Sequence, residues 1–130
     1  MEILRQFDAI CSLPHPSGHL DSIRQHILSV AVAHGLKPEV DEVGNVLVRV
    51  PATAGREDSP IVVLEAHMDM VPQCNADSLH VFEQDPITVR RVAKGEDAEY
   101  PDAELLKADG TTLGADNGIG VAAMLSIIAD

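Results

Sequence analysis

Aromatic side chains are nearly missing from this chain of 130 residues, which has no tryptophan, one tyrosine and two phenylalanines. That scarcity argues against a surface that holds nucleic-acid bases by stacking, and it leaves the core to be built from Val, Ile, Leu and Ala. Basic residues are also few, with 9 Lys and Arg against 21 Asp and Glu, a formal net charge of -12. Such a surface repels phosphate backbones and anionic lipid, so neither nucleic acid nor a membrane is expected as a partner. It also raises the local concentration of cations, although solubility alone accounts for the charge. The two cysteines, Cys11 and Cys74, form no CxxC pair, which excludes zinc-finger and redox motifs by spacing. Together with the lack of a secretory leader, they point to a reducing, cytoplasmic setting. No apolar run is long enough to span a bilayer.

What is present is a 45% hydrophobic composition, enough for one modest domain with a core. Ile3, Leu4, Phe7, Ile10 and Cys11 recur at helical spacing and predict a helix over 2–11, stopped by Leu13-Pro-His-Pro16. Ser17 or Asp21 can cap a second helix, with Leu20, Ile23, Ile27 and Val30 on its apolar side, running to His34 and ending at Gly35. Short strands are expected over 36–41 and 46–50, around a turn at Val43-Gly44-Asn45. Ile61 to Glu65 reads as a continuous apolar strand, covered on both faces at the centre of a sheet. Residues 72–86 form a long loop. Strands are expected over 87–92 and from Leu105, and a helix over 117–129. The element order predicts an α/β fold, a sandwich with a mixed sheet, in which sites gather beyond the carboxyl ends of strands.

Two segments stand at such ends. Ile61-Val-Val-Leu-Glu-Ala-His67-Met-Asp69 runs from apolar residues into a His-x-Asp pair. Alternate residues leaving a strand can point to one side, so His67 can serve as a metal ligand with Asp69 fixing its tautomer. A structural, hydrogen-bonded histidine is the plain alternative. Gly110-Thr-Thr-Leu-Gly-Ala-Asp116-Asn117-Gly-Ile-Gly120 sets a carboxylate in a glycine-rich loop before a helix. Asp116 can bridge two metal ions, or Asp116 or Asn117 can simply cap the helix. The glycine order is not that of a dinucleotide loop, and no lysine follows as in a P-loop. His15, His19, His26 and His34 are expected on the surface. His80 in the long loop is a candidate to approach a substrate, Cys74 has no base partner, and Thr111 and Thr112 read as turn residues.

Four segments carry a family resemblance: Cys11-Ser-Leu-Pro-His-Pro-Ser17, Asp41-Glu-Val-Gly-Asn45, Glu65-Ala-His-Met-Asp-Met-Val-Pro72 and Gly110 to Gly120. In this order they resemble the N-terminal part of the aminoacyl-histidine (Xaa-His, or cytosol non-specific) dipeptidases of the dinuclear zinc exopeptidase superfamily, and the similarity runs over essentially the whole chain. The resemblance implies a three-layer α/β sandwich catalytic domain, of which residues 1–130 are one part, the lid or dimerisation domain and the C-terminal half lying elsewhere. It implies two Zn2+ per complete site, replaceable by Co2+ or Mn2+. His67 would bind one zinc, Asp116 would bridge both, Asp69 would be the catalytic-site residue that orients His67, and the Asp116-Asn117 peptide would be cis. The implied chemistry is metal-assisted hydrolysis of dipeptides, with a downstream glutamate moving the proton and a homodimer as the assembly of the full-length enzyme.

That glutamate, a further acidic ligand and a C-terminal histidine fall outside residues 1–130. With His67 and Asp116 alone each zinc would have at most two protein ligands, where catalytic sites usually have three. The 130-residue chain by itself is therefore expected to be inactive or nearly so. Two alternatives remain at this point: a related zinc amidohydrolase such as a deacylase, and a truncated, non-catalytic binding module.

Overall fold

A computed structural model describes residues 2–130. Helix α1 (Glu2–Cys11) and helix α2 (Asp21–Ala33) are followed by strands β1 (Glu39–Val40), β2 (Val46–Leu47), β3 (Val89–Val92) and β4 (Leu105–Ala108), and helix α3 (Ala115–Ala129) comes last. The strands pair in two antiparallel ladders, β1 with β2 and β3 with β4.

The helical spacing of α1 buries Phe7, Ile10 and Cys11 on one face, and that face packs on α3. Gly118 makes the close approach possible: a Cβ there would stand 3.1 Å from Phe7 Cε2 and 3.7 Å from Ile10 Cγ2. Val121, Ala122 and Leu125 of α3 complete the contact, with Ile23 and Ile27 of α2, Met70, Phe82 and Ile87 joining one continuous core. Each fully buried aliphatic or aromatic side chain contributes about 1.5–3 kcal/mol. Burial also pushes the Cys11 thiol up to about 12, with the Asp8 charge adding to the effect, so Cys11 acts as a small apolar residue.

Helix α2 ends as its sequence suggests. Gly35 takes a φ of +74°, and the amides of Leu36 and Gly35 donate to the carbonyls of Ala31 and Val32, the paired bonds of a glycine-terminated helix. The turn between β1 and β2 is held by Asp41, whose carboxylate accepts from the Val43 and Asn45 amides and from Asn45 Nδ2. No helix among the described residues is long and apolar enough to cross a membrane.

Three expectations are corrected. Ile61 to Glu65 is neither buried nor in a ladder: Ile61 is 92% and Val63 82% exposed. A central strand needs neighbours on its edges and helices on its faces, and among the described residues no strand pairs with it. Neither Ser17 nor Asp21 caps α2, whose N-cap is Leu20 with no side-chain cap bond. His15 is not on the surface. It is 2% exposed, with Nδ1 2.6 Å from the Leu13 carbonyl oxygen, and burial outweighs that bond to hold its pKa below the ordinary histidine value.

Candidate metal centre

The segment after Ile61–Glu65 is anchored where it leaves the apolar run. Met70 is buried, its amide donates to the His15 carbonyl, and its own carbonyl accepts from the Ser17 amide, a single parallel bridge between residues 15–17 and 70. This fixes Asp69 and, two residues earlier, His67. The second segment is fastened to the first by Thr112. Its hydroxyl donates to the Val71 carbonyl at 2.5 Å, and its amide donates to the Gln73 carbonyl at 2.8 Å. The Asn75 amide donates to the Gly110 carbonyl at 2.8 Å. Thr112 is thus the tie between the two loops rather than a simple turn residue.

The start of α3 separates the two readings of Asp116 and Asn117. Gly114, at φ +75°, turns the chain against Met70, whose Sδ would lie 3.1 Å from a Cβ at that position. Asp116 and Asn117 then have non-helical dihedrals within the span of α3, and the peptide between them is cis. Asn117 does the capping: its Oδ1 accepts from the Gly120 amide three residues on, at 3.2 Å. Asp116 is left free of that task, and its carboxylate faces across to His67.

His67 stands between two carboxylates. Its Nδ1 lies 3.0 Å from the Asp69 backbone oxygen and 3.1 Å from Asp69 Oδ1. Both are acceptors, so Nδ1 donates to them when it carries the proton. Its Nε2 lies 3.1 Å from Asp116 Oδ1. Asp69 is held in turn from behind, with Ser17 Oγ donating to its Oδ2 at 2.5 Å.

The charges respond accordingly. Partial desolvation works against a charged His67 ring, but the bond to Asp116 and the field of Asp69 outweigh it and raise its pKa. The Ser17 hydroxyl, ahead of His67, holds the Asp69 carboxyl below its ordinary value. The site is open, with the Asp116 side chain 97% and that of His67 51% exposed.

These donors fit a zinc-type cation. An imidazole whose far nitrogen is engaged by a carboxylate presents its other nitrogen as a ligand. Two ligands of one tetrahedral zinc, each about 2.0–2.2 Å from it, stand roughly 3.3 Å apart, close to the 3.1 Å seen here. The donor set is small: among the described residues no group of three or more His, Cys, Asp or Glu side chains gathers to hold a metal.

Other candidates do not join it. The His80 ring packs edge-on against Phe82, with centroids 4.5 Å apart, and its Nε2 is buried without a hydrogen-bond partner. Cys74 is exposed. Sequence reasoning missed the roles of Ser17 and Thr112, because both act on residues 39 or more positions away and no local pattern encodes such a contact.

No family model matches the sequence. The chain is 50% identical over 124 residues to the cytosol non-specific dipeptidase of Escherichia coli (strain K12), an alignment covering 95% of this chain and 24% of that one. It is 30% identical over 121 residues to a peptidase T of Macrococcus caseolyticus, covering 84% of this chain and 28% of the relative. Its fold matches the aminoacylhistidine dipeptidase of Vibrio alginolyticus with a TM-score of 0.88 and 43% identity, over 99% of this chain and 24% of that structure. The chain thus spans about a quarter of the length of the relatives it matches. The resemblance carried by the four motifs holds in sequence and in backbone path.

Proposed function

We propose that this chain, with the sequence and backbone path of an aminoacylhistidine dipeptidase over about a quarter of that enzyme's length, supplies part of a dinuclear zinc site that hydrolyses dipeptides with a free amino end, Xaa-His among them. The observation that carries the reading is the line Asp69–His67–Asp116, in which one imidazole is held at Nδ1 and turned at Nε2 toward a second carboxylate.

In this reading His67, through Nε2, and the Asp116 carboxylate would hold the zinc. Bound zinc would supply Lewis acidity, polarising the scissile carbonyl and activating water. Asp69 keeps the Nδ1 proton in place and stabilises positive charge on the ring. The proton acceptor and the remaining ligands come from the part of the relatives' length that this chain does not cover. The donor count supports this for the ligands, since His67 and Asp116 give two where a catalytic zinc usually has three. The cytoplasm is the proposed setting, on the strength of the Escherichia coli relative, and a homodimer is the proposed assembly.

The test uses the protein as its source organism makes it. Dipeptide hydrolysis should vanish on chelation and return with Zn2+ or Co2+. Asp116→Asn should lower it by more than about 100-fold, because outer partners of metal ligands alone cost 10–100-fold. Hydrolysis indifferent to chelators, or equal activity in Asp116→Asn, would reject the reading.

A further inference from the structure

We propose that Ser17 is a positioning residue for the metal centre: its hydroxyl pins the Asp69 carboxylate so that Asp69 in turn holds His67. The proposal rests on reading His67 as a metal ligand and extends it by one residue, to a side chain contributed by the turn between α1 and α2.

The geometry leads from Ser17 outward. Ser17 Oγ lies 2.5 Å from Asp69 Oδ2 and 3.3 Å from the Met70 carbonyl oxygen. A hydroxyl has one proton to give, and the shorter contact is the length of a hydrogen bond to an ionised acceptor. The other carboxylate oxygen, Oδ1, faces His67 Nδ1 at 3.1 Å. The terminal torsion of an aspartate is broad and weakly held by sterics. A carboxylate bonded on one oxygen alone can therefore rotate. Bonded on both, with Ser17 on one side and His67 on the other, it has one orientation.

The hydroxyl is not needed to fasten the local chain. The Ser17 amide already donates to the Met70 carbonyl at 3.0 Å, and the Met70 amide to the His15 carbonyl at 3.1 Å. Ser17 is also exposed. Removing its oxygen opens no cavity and leaves the bridge between the two segments intact. What it removes is the second anchor of Asp69.

The test compares Ser17→Ala and Ser17→Thr with the parent protein, again in the full form its source makes. In the metal-free state, the hydrogen-bonded His67 Nδ1–H proton should give a protected NMR resonance, identified by its absence in His67→Ala. In Ser17→Ala this resonance should broaden through solvent exchange, and in Ser17→Thr, which keeps the hydroxyl, it should persist. Co2+ is the metal probe. Its affinity should fall by about tenfold in Ser17→Ala, the low end of the cost of disturbing an outer partner, and recover in Ser17→Thr.

A resonance as well protected in Ser17→Ala as in the parent overturns the proposal, and so does unchanged Co2+ affinity in a parent that binds the metal. A parent that binds no Co2+ rejects the metal reading of His67 and overturns with it a role for Ser17 at a metal centre, whereas a parent that binds Co2+ with the resonance and the affinity unmoved in Ser17→Ala overturns the Ser17 role alone.

Discussion

Replacing His67 by alanine should lower Co2+ affinity by more than about 100-fold while leaving the fold unchanged. Removal of an outer partner of a metal ligand typically costs 10–100-fold, so loss of the proposed ligand itself should cost more. Among the described residues no cluster of three or more metal-binding side chains exists to take its place. Stability should stay within about 0.5 kcal/mol of the parent, the usual range for exposed positions, because the His67 ring is half exposed and lies outside the packed core. Titration with Co2+, followed by its visible absorption, measures the first quantity, and urea unfolding of the metal-free protein measures the second. Asp69→Ala should fall between His67→Ala and the parent, at about 10–100-fold, because it removes the partner of Nδ1 and not the ligand. Equal affinity in His67→Ala would exclude the imidazole from the metal centre.

Phe7→Ala should have the largest effect on stability, about 3–5 kcal/mol. Phe7 is 1% exposed and fills the contact between α1 and α3 where Gly118 has no side chain. Neither helix can close the resulting space easily. The missing Cβ at Gly118 already lets the two backbones approach, and Ile10 and Val121 are fixed in the same core. The effect should reach Asp116 as well, since it stands at the start of the helix that Phe7 supports. Chemical unfolding gives the energy as a shift of midpoint at unchanged slope. Val43→Ala is the control. Val43 is 82% exposed, and its truncation should change stability by less than about 0.5 kcal/mol. A Phe7→Ala cost below 1 kcal/mol would mean that α1 does not pack as described.

The parts of this fold legible in the sequence are those with a local cause. The spacing of Phe7, Ile10 and Cys11 gave α1, Gly35 gave the end of α2, and Val43-Gly44-Asn45 gave the turn between β1 and β2, which Asp41 holds. At the site, His67 and Asp116 were legible as single candidates, and the structure brings them within 3.1 Å of each other. The cis peptide at Asp116-Asn117 followed from the family resemblance and not from the residues themselves. Of Asp116 and Asn117, each open to capping in the sequence, it is Asn117 whose side chain accepts from the Gly120 amide, while Asp116 points at His67.

What was not legible depends on distant partners. Ser17 looked like a helix cap because serine before a helix usually is one, but its hydroxyl turns to Asp69, 52 residues away. His15 lies between two prolines with no periodicity to mark it as buried. Ile61 to Leu64 has the composition of a buried strand, yet its side chains are exposed. Composition reports what a segment needs around it, and only the neighbours decide whether the need is met.

The most direct measurement is anomalous diffraction at the zinc edge from crystals of the protein as its source makes it, grown with Zn2+. The expected result is an anomalous peak within about 2.0–2.2 Å of both His67 Nε2 and an Asp116 oxygen, with Asp69 bonded to Nδ1. A metal found elsewhere, with His67 and Asp116 still bonded directly to each other, would contradict the assignment of these residues as ligands.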